Sequence, residues 1–203
     1  SRSVNCYKSS IISLKDNHKL FETKCIPDDN IIDFNGLGGA NIIKDNHLYL
    51  ALGAPEAVSN KIRNLAQNDD SYYGKILKIN INEFSKKNIR NIEIYSKGHR
   101  NPQGLINYND KIISTEHGPF GGDEINIISY KNNFGWPITS YGTKYFKDDN
   151  TVNNTFGDGQ SFSFDANIME KFKEPIYAFI PSEAISDLTK CPEKLINYYN
   201  KPC

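Results

Sequence analysis

One plan occurs twice along this chain. The segment ANIIKDNHLYLALGAP (Ala40 to Pro55) lies in register with GLINYNDKIISTEHGP (Gly104 to Pro119). Each copy reads as strand, Asn/Asp turn, strand, small residue and proline. After each comes an insertion or Gly-rich turn, then a third strand (GKILKINI; DEINIIS) and a fourth (IEIYSKG; PIYAFI). A recurring antiparallel unit of four strands is what a β-propeller blade looks like in sequence. The spacing predicts two complete blades, at residues 38–97 and 98–180.

The rest of the pattern agrees with an all-β chain. Short runs rich in Ile, Tyr, Phe and Leu alternate with polar residues and end at Gly, Asn or Asp, from Ser10–Leu14 through Ile176–Ile180. Helical periodicity is confined to Val58–Ala66 and Ala166–Phe172. Residues 1–37, with IISLK and KLFETKC, read as outer strands of a preceding blade, and residues 181–203 as the start of a following one. A ring needs about 4 to 8 blades. Two blades and two remnants leave apolar strand faces for other propeller segments, or a homo-oligomer partner, to cover.

Charge excludes several partners. Lys+Arg and Asp+Glu are 24 each among 203 residues, so the basic footprint of a nucleic-acid binder is absent. No apolar run approaches the roughly 20 residues of a membrane span. The opening SRSVNCYKSS also lacks the apolar core of a signal peptide, which leaves a cytosolic chain or one whose signal was removed. The four cysteines form two local pairs, Cys6 with Cys25 and Cys191 with Cys203, without zinc-ligand spacing. They read as disulfides of an oxidising compartment or as free buried thiols. Asn153-Asn154-Thr155 is a formal glycosylation sequon in an Asn-rich sequence.

Two loops concentrate chemistry. SKGHRNPQGLIN (Ser96 to Asn107) places the planar donors of Arg100 and the amides of Asn101 and Gln103 around Gly98 and Pro102, a loop suited to an oxygen-rich ligand. TEHGPFGGDE (Thr115 to Glu124) joins Glu116, His117, Asp123 and Glu124 to glycines that expose carbonyls, the oxygen donors that Ca²⁺ takes. A third segment, NNFGWPITSYG, holds the only tryptophan, Trp136. Each has a structural reading too: Arg100 as a clamp between blades, His99 bonding a neighbouring loop, Asp123 and Glu124 capping a turn, Trp136 as packing. His18 and His47 read as surface residues. GLGGA lacks the full G-x-G-x-x-G and a following helix, so it is not a dinucleotide loop.

YYGKILKINI, IYSKGHRNPQGL, TEHGPFGGDEINII and NNFGWPITSYG, in this order, resemble the glucose/sorbosone dehydrogenase family of soluble quinoproteins, over roughly residues 34–186. The resemblance implies a six-bladed propeller of the quinoprotein glucose dehydrogenase type. It also implies pyrroloquinoline quinone (PQQ) and Ca²⁺ as cofactors, an aldose oxidised at its anomeric carbon, and a periplasmic or secreted location. Carried over by position, it assigns quinone contacts to Arg100 and Asn101, with Gln103 beside them. Arg100 also polarises the reacting oxygen, and His117 lines the pocket as a second catalytic candidate. Gly118 and Pro119 offer carbonyls to calcium. Asp123 and Glu124 match an acidic pair that supports cofactor or structural-calcium binding. Phe134 stands in place of the usual Tyr.

One departure bears on turnover. The family carries a catalytic His in an H-x-G-G-like element, and here FNGLGGAN places Gly36 at that position. Glycine has no group to accept a proton; Asn35 and Asp33 are the nearest polar substitutes. The family's later Lys and Arg cofactor contacts also fall beyond Cys203. Two functions therefore stand open: part of a quinoprotein sugar dehydrogenase, or a non-catalytic propeller module for binding or assembly that retains a calcium site.

Overall fold

A computed structural model describes residues 6–27, 32–33, 36–57, 60–143, 166–192 and 194–196. The sequon, Asn35 and Cys203 lie outside them. Its strands are β1 (Cys6–Tyr7), β2 (Ser10–Ile12), β3 (Lys19–Glu22), β4 (Ile26–Pro27), β5 (Ile32–Asp33), β6 (Gly38–Lys44), β7 (His47–Leu52), β8 (Glu56–Ala57), β9 (Lys75–Asn80), β10 (Ile92–Lys97), β11 (Pro102–Tyr108), β12 (Lys111–Glu116), β13 (Asp123–Ile128) and β14 (Tyr177–Phe179). Two short helices, α1 (Asn60–Arg63) and α2 (Ala166–Met169), fall within the two helical stretches expected. None of the described helices is long and apolar enough to cross a membrane.

The repeat folds as two antiparallel four-stranded sheets, β6-β7-β9-β10 and β11-β12-β13-β14, each running outward in chain order. Both begin with a hairpin whose turn the sequence dictates. Asp45-Asn46 and Asn109-Asp110 all take positive φ, between 48° and 61°, the left-handed pair that a two-residue hairpin of primed type needs. Asn and Asp tolerate that region better than other non-glycine residues.

Burial explains why the central strands are so apolar. On β9, Ile76 and Leu77 are adjacent, point to opposite faces, and are both fully buried, so this sheet is covered on both sides. One face packs on the second sheet through Tyr49, Ala51, Ile76, Leu105, Ile112, Ile128 and Phe134. Elsewhere Leu20, Ile79 and Ile89 form a core with Ile11 and Phe21, docking the β2-β3 hairpin. The innermost strands β6 and β11 run beside each other in separate sheets, as neighbouring blades do around a propeller axis.

Backbone meets backbone where the blades join. Gly53 N–H donates to Leu37 O and Ala54 N–H to Arg100 O, both at 2.8 Å. A Cβ at residue 53 would lie 2.0 Å from Gly36 O and 2.7 Å from Arg100 O, so only glycine permits this approach.

Candidate functional site

Three loops converge at one end of the two sheets: 98–101 after β10, 117–122 after β12, and 133–140 after β13. Gly98, at φ 77°, makes the first possible, because a Cβ there would sit 2.2 Å from Asn133 Oδ1. Its neighbours are stitched to the third loop: Phe134 N–H donates to Lys97 O at 2.8 Å and Trp136 N–H to Gly98 O at 3.0 Å. The Arg100 guanidinium is thereby laid over the Trp136 ring, 5.3 Å from its centroid, in cation-π contact. Arg100 Nη1 donates to the carbonyls of His117 (3.0 Å) and Gly118 (2.8 Å), and Nε faces Glu56 Oε2 at 3.4 Å.

Beneath Arg100 runs a buried polar chain. The His99 ring, fully buried and stacked 4.7 Å from Phe134, contacts Glu116 Oε1 through Nδ1 (2.7 Å) and Ser96 Oγ through Nε2 (2.8 Å). A carboxylate only accepts, so Nδ1 carries a proton towards Glu116. Ser114 Oγ and Asn126 Nδ2 donate to the same Glu116 oxygen, and Asn126 also donates to Glu124 Oε2 at 3.0 Å. Burial raises the Glu116 pKa, but the His99 ring and these hydrogen bonds more than offset it, leaving the carboxyl below its ordinary range. Glu124 has only the Asn126 bond in its favour, and it is outweighed. Burial, and then the charge of Glu116, push it up to about 8.

The structure sorts the residues expected at the site. Arg100, His117, Gly118 and Glu124 line one cavity together with Trp136, Phe134 and Thr139. That cavity holds only about 20 Å³, room for roughly one water, so a large ligand could lie across its mouth but not inside it. Asn101 is buried beside it; its carbonyl accepts from His117 N–H (3.0 Å), and its Oδ1 takes the Gln103 amide (2.5 Å). Gly36 adjoins the same residue, since a Cβ there would stand 3.5 Å from Asn101 Cγ. Pro119 is buried against Gly142.

Asp123 sits apart from the cavity with its carboxylate committed. It accepts from the backbone of Gly118 (3.1 Å), Glu183 (3.1 Å) and Ala184 (2.7 Å), and from Ser182 Oγ. Among the described residues no three of His, Cys, Asp or Glu converge to hold a metal ion. The polar atom best placed to await a ligand is His117 Nε2, buried on the cavity wall with no hydrogen-bond partner among the described residues. Sequence reasoning missed Glu56, the carboxylate facing Arg100 from strand β8, and Thr139. The Glu56 signal lay only in its place just after the repeated small-residue-Pro element.

The glucose/sorbosone dehydrogenase profile matches residues 11–201. Aldose sugar dehydrogenase YliI of Escherichia coli (strain K12) is 36% identical over 121 residues, which are 55% of this chain and 31% of that protein. Quinoprotein glucose dehydrogenase B of Acinetobacter calcoaceticus is 41% identical over 73 residues, 33% of this chain and 15% of that one. In fold, the crystal structure of the soluble aldose sugar dehydrogenase from Escherichia coli superposes on 90% of this chain and 51% of its own, with a TM-score of 0.59 at 24% identity. The chain thus spans about half the length of that solved relative.

Proposed function

Because the chain belongs to the glucose/sorbosone dehydrogenase family, we propose that it supplies part of the cofactor and sugar site of a PQQ-dependent aldose dehydrogenase. The observation that carries this reading is the convergence of Arg100, the unpartnered His117 Nε2 and the Trp136 ring on one shallow opening. A flat, polyanionic quinone suits that set. The guanidinium supplies charge, the indole a surface and the imidazole a polar contact. Bound there, the quinone would accept the hydride from the anomeric carbon. This chain's residues would bind and orient it: Arg100 would polarise the reacting oxygen, Asn101 would hold the wall, and His117 would bond the cofactor edge.

Calcium fits less fully. Gly118 O is already taken by Arg100, and Asp123 has no oxygen to spare. A calcium ion here would rest on the Pro119 carbonyl and on Glu124, and would have to displace the Arg100 contact to use Gly118 O. No described cysteine carries a free thiol. The reading further takes Cys6 with Cys25 and Cys191 with Cys203 as disulfides of a periplasmic or secreted protein, on the local pairing of the four cysteines in the sequence.

Gly36 favours the second reading, a propeller that keeps the scaffold without turnover, since the residue beside Asn101 bears no base. Titration with PQQ and Ca²⁺, followed by dye-linked oxidation of an aldose panel, tests both. Dye reduction that disappears in Arg100→Ala supports the enzyme. Quinone binding without turnover supports the second reading, and absence of binding overturns the cofactor assignment.

A further inference from the structure

Ser96, His99 and Glu116 stand in the order of a hydrolase triad, but Ser96 and the ring are closed off from solvent. No substrate reaches that hydroxyl. Their place in the chain suggests a different use. His99 precedes Arg100, and Glu116 precedes His117, so one side-chain hydrogen bond joins the two loops from inside. The outer pair is joined directly above it, by Arg100 Nη1 on the His117 and Gly118 carbonyls and by His117 N–H on Asn101 O. Lost beneath, the bond would leave each loop its backbone anchors, such as Trp136 N–H on Gly98 O and Gly118 N–H on Asp123, but would remove the buried side-chain tie from one loop to the other.

We propose that the His99–Glu116 hydrogen bond is a positioning tie that holds Arg100 against the 117–118 carbonyls and aims it, with His117, at the common opening. His99 and Glu116 act through Arg100. Ser96 and Ser114 orient the two partners, as outer-shell groups orient metal ligands, where their loss weakens binding by about 10–100-fold. The placement of Arg100 stands on the geometry alone; the effect on cofactor affinity rests on the quinone reading above.

The test uses the intact chain and two substitutions at one position. His99→Asn places an amide near Nδ1 and keeps the donation to Glu116; His99→Leu removes it. Hindered rotation of the Arg100 guanidinium, followed by NMR and assigned with Arg100→Lys, is expected in the wild type and in His99→Asn and lost in His99→Leu. PQQ affinity should fall about 10–100-fold in His99→Leu and recover most of the way in His99→Asn. A folded His99→Leu that keeps both the hindered guanidinium and wild-type affinity overturns the proposal. If His99→Leu does not fold, Ser96→Ala, which frees one side of the ring, decides by the same two signals. If the wild type binds no quinone, the cofactor reading fails, and the guanidinium signal alone decides the tie.

Discussion

Lys75 shows how much one buried charge can report. Its side chain is fully buried at the start of β9, and its ammonium donates to the carbonyls of Leu65 (2.9 Å), Ala66 (2.8 Å) and Tyr73 (2.9 Å). Burial, with Lys97 nearby, pushes its pKa from 10.5 down to about 7. Between those values the unfolded chain holds a proton that the folded chain has released. Stability from this group therefore rises as pH climbs from about 7 towards 10.5 and is lost as pH falls through about 7. Urea unfolding across that range should show the slope in the wild type and a flatter profile in Lys75→Met; equal slopes would remove Lys75 as its source. At Gly36, backbone φ is ordinary and a Cβ makes only van der Waals contact, so Gly36→His should fold with the imidazole beside Asn101. If the chain binds quinone without turnover, this variant should gain aldose-dependent dye reduction; its failure would place the missing base elsewhere. At this scale the sequence was legible where residues share a motif, as Arg100 and His117 do. It was silent on Glu56 and on the Ser182–Ala184 donors to Asp123, because those partners meet only through the fold.

At the scale of elements, β12 separates burial from composition. Ile112 and Ile113 are neighbours of one type, yet Ile112 faces the first sheet, 3% exposed, while Ile113 faces away and is only half-buried. Ile112→Ala should destabilise by about 2–4 kcal/mol and Ile113→Ala by appreciably less. Chemical denaturation of the two variants checks this, and equal losses would mean that the outer face is covered in solution. The strands that form each sheet could be read from alternation and from the Asn/Asp turns. The short pair β5-β8 could not, because two-residue strands such as Ile32–Asp33 and Glu56–Ala57 leave no period to detect. Helix α1 is a single turn continued by a 3₁₀ segment at Asn64–Ala66, within the stretch read from Val58, and Ile62 and Leu65 pack it against Ile26 and Tyr73.

For the whole molecule, the described residues leave an apolar face of the second sheet incompletely covered. Ile106, Ile113 and Ile127 are paired across β11, β12 and β13 on the face turned from the first sheet, and all three are half-buried. Beyond them Ile176, Tyr177 and Ile180 are more than half exposed. Apolar strand faces of this kind promote association. Sedimentation velocity of the isolated chain should show self-association that Ile113→Lys reduces, whereas a monomer at all concentrations would mean that the face is already satisfied. The junction at Gly53 sets the distance between the strand leading from Gly36 and the loop bearing Arg100, each of which touches it through a backbone oxygen. It works as a gauge whose setting is the width of a missing methyl group. A descendant sequence could lose this site by acquiring one carbon at residue 53, with every diagnostic motif intact and nothing in them to betray the loss.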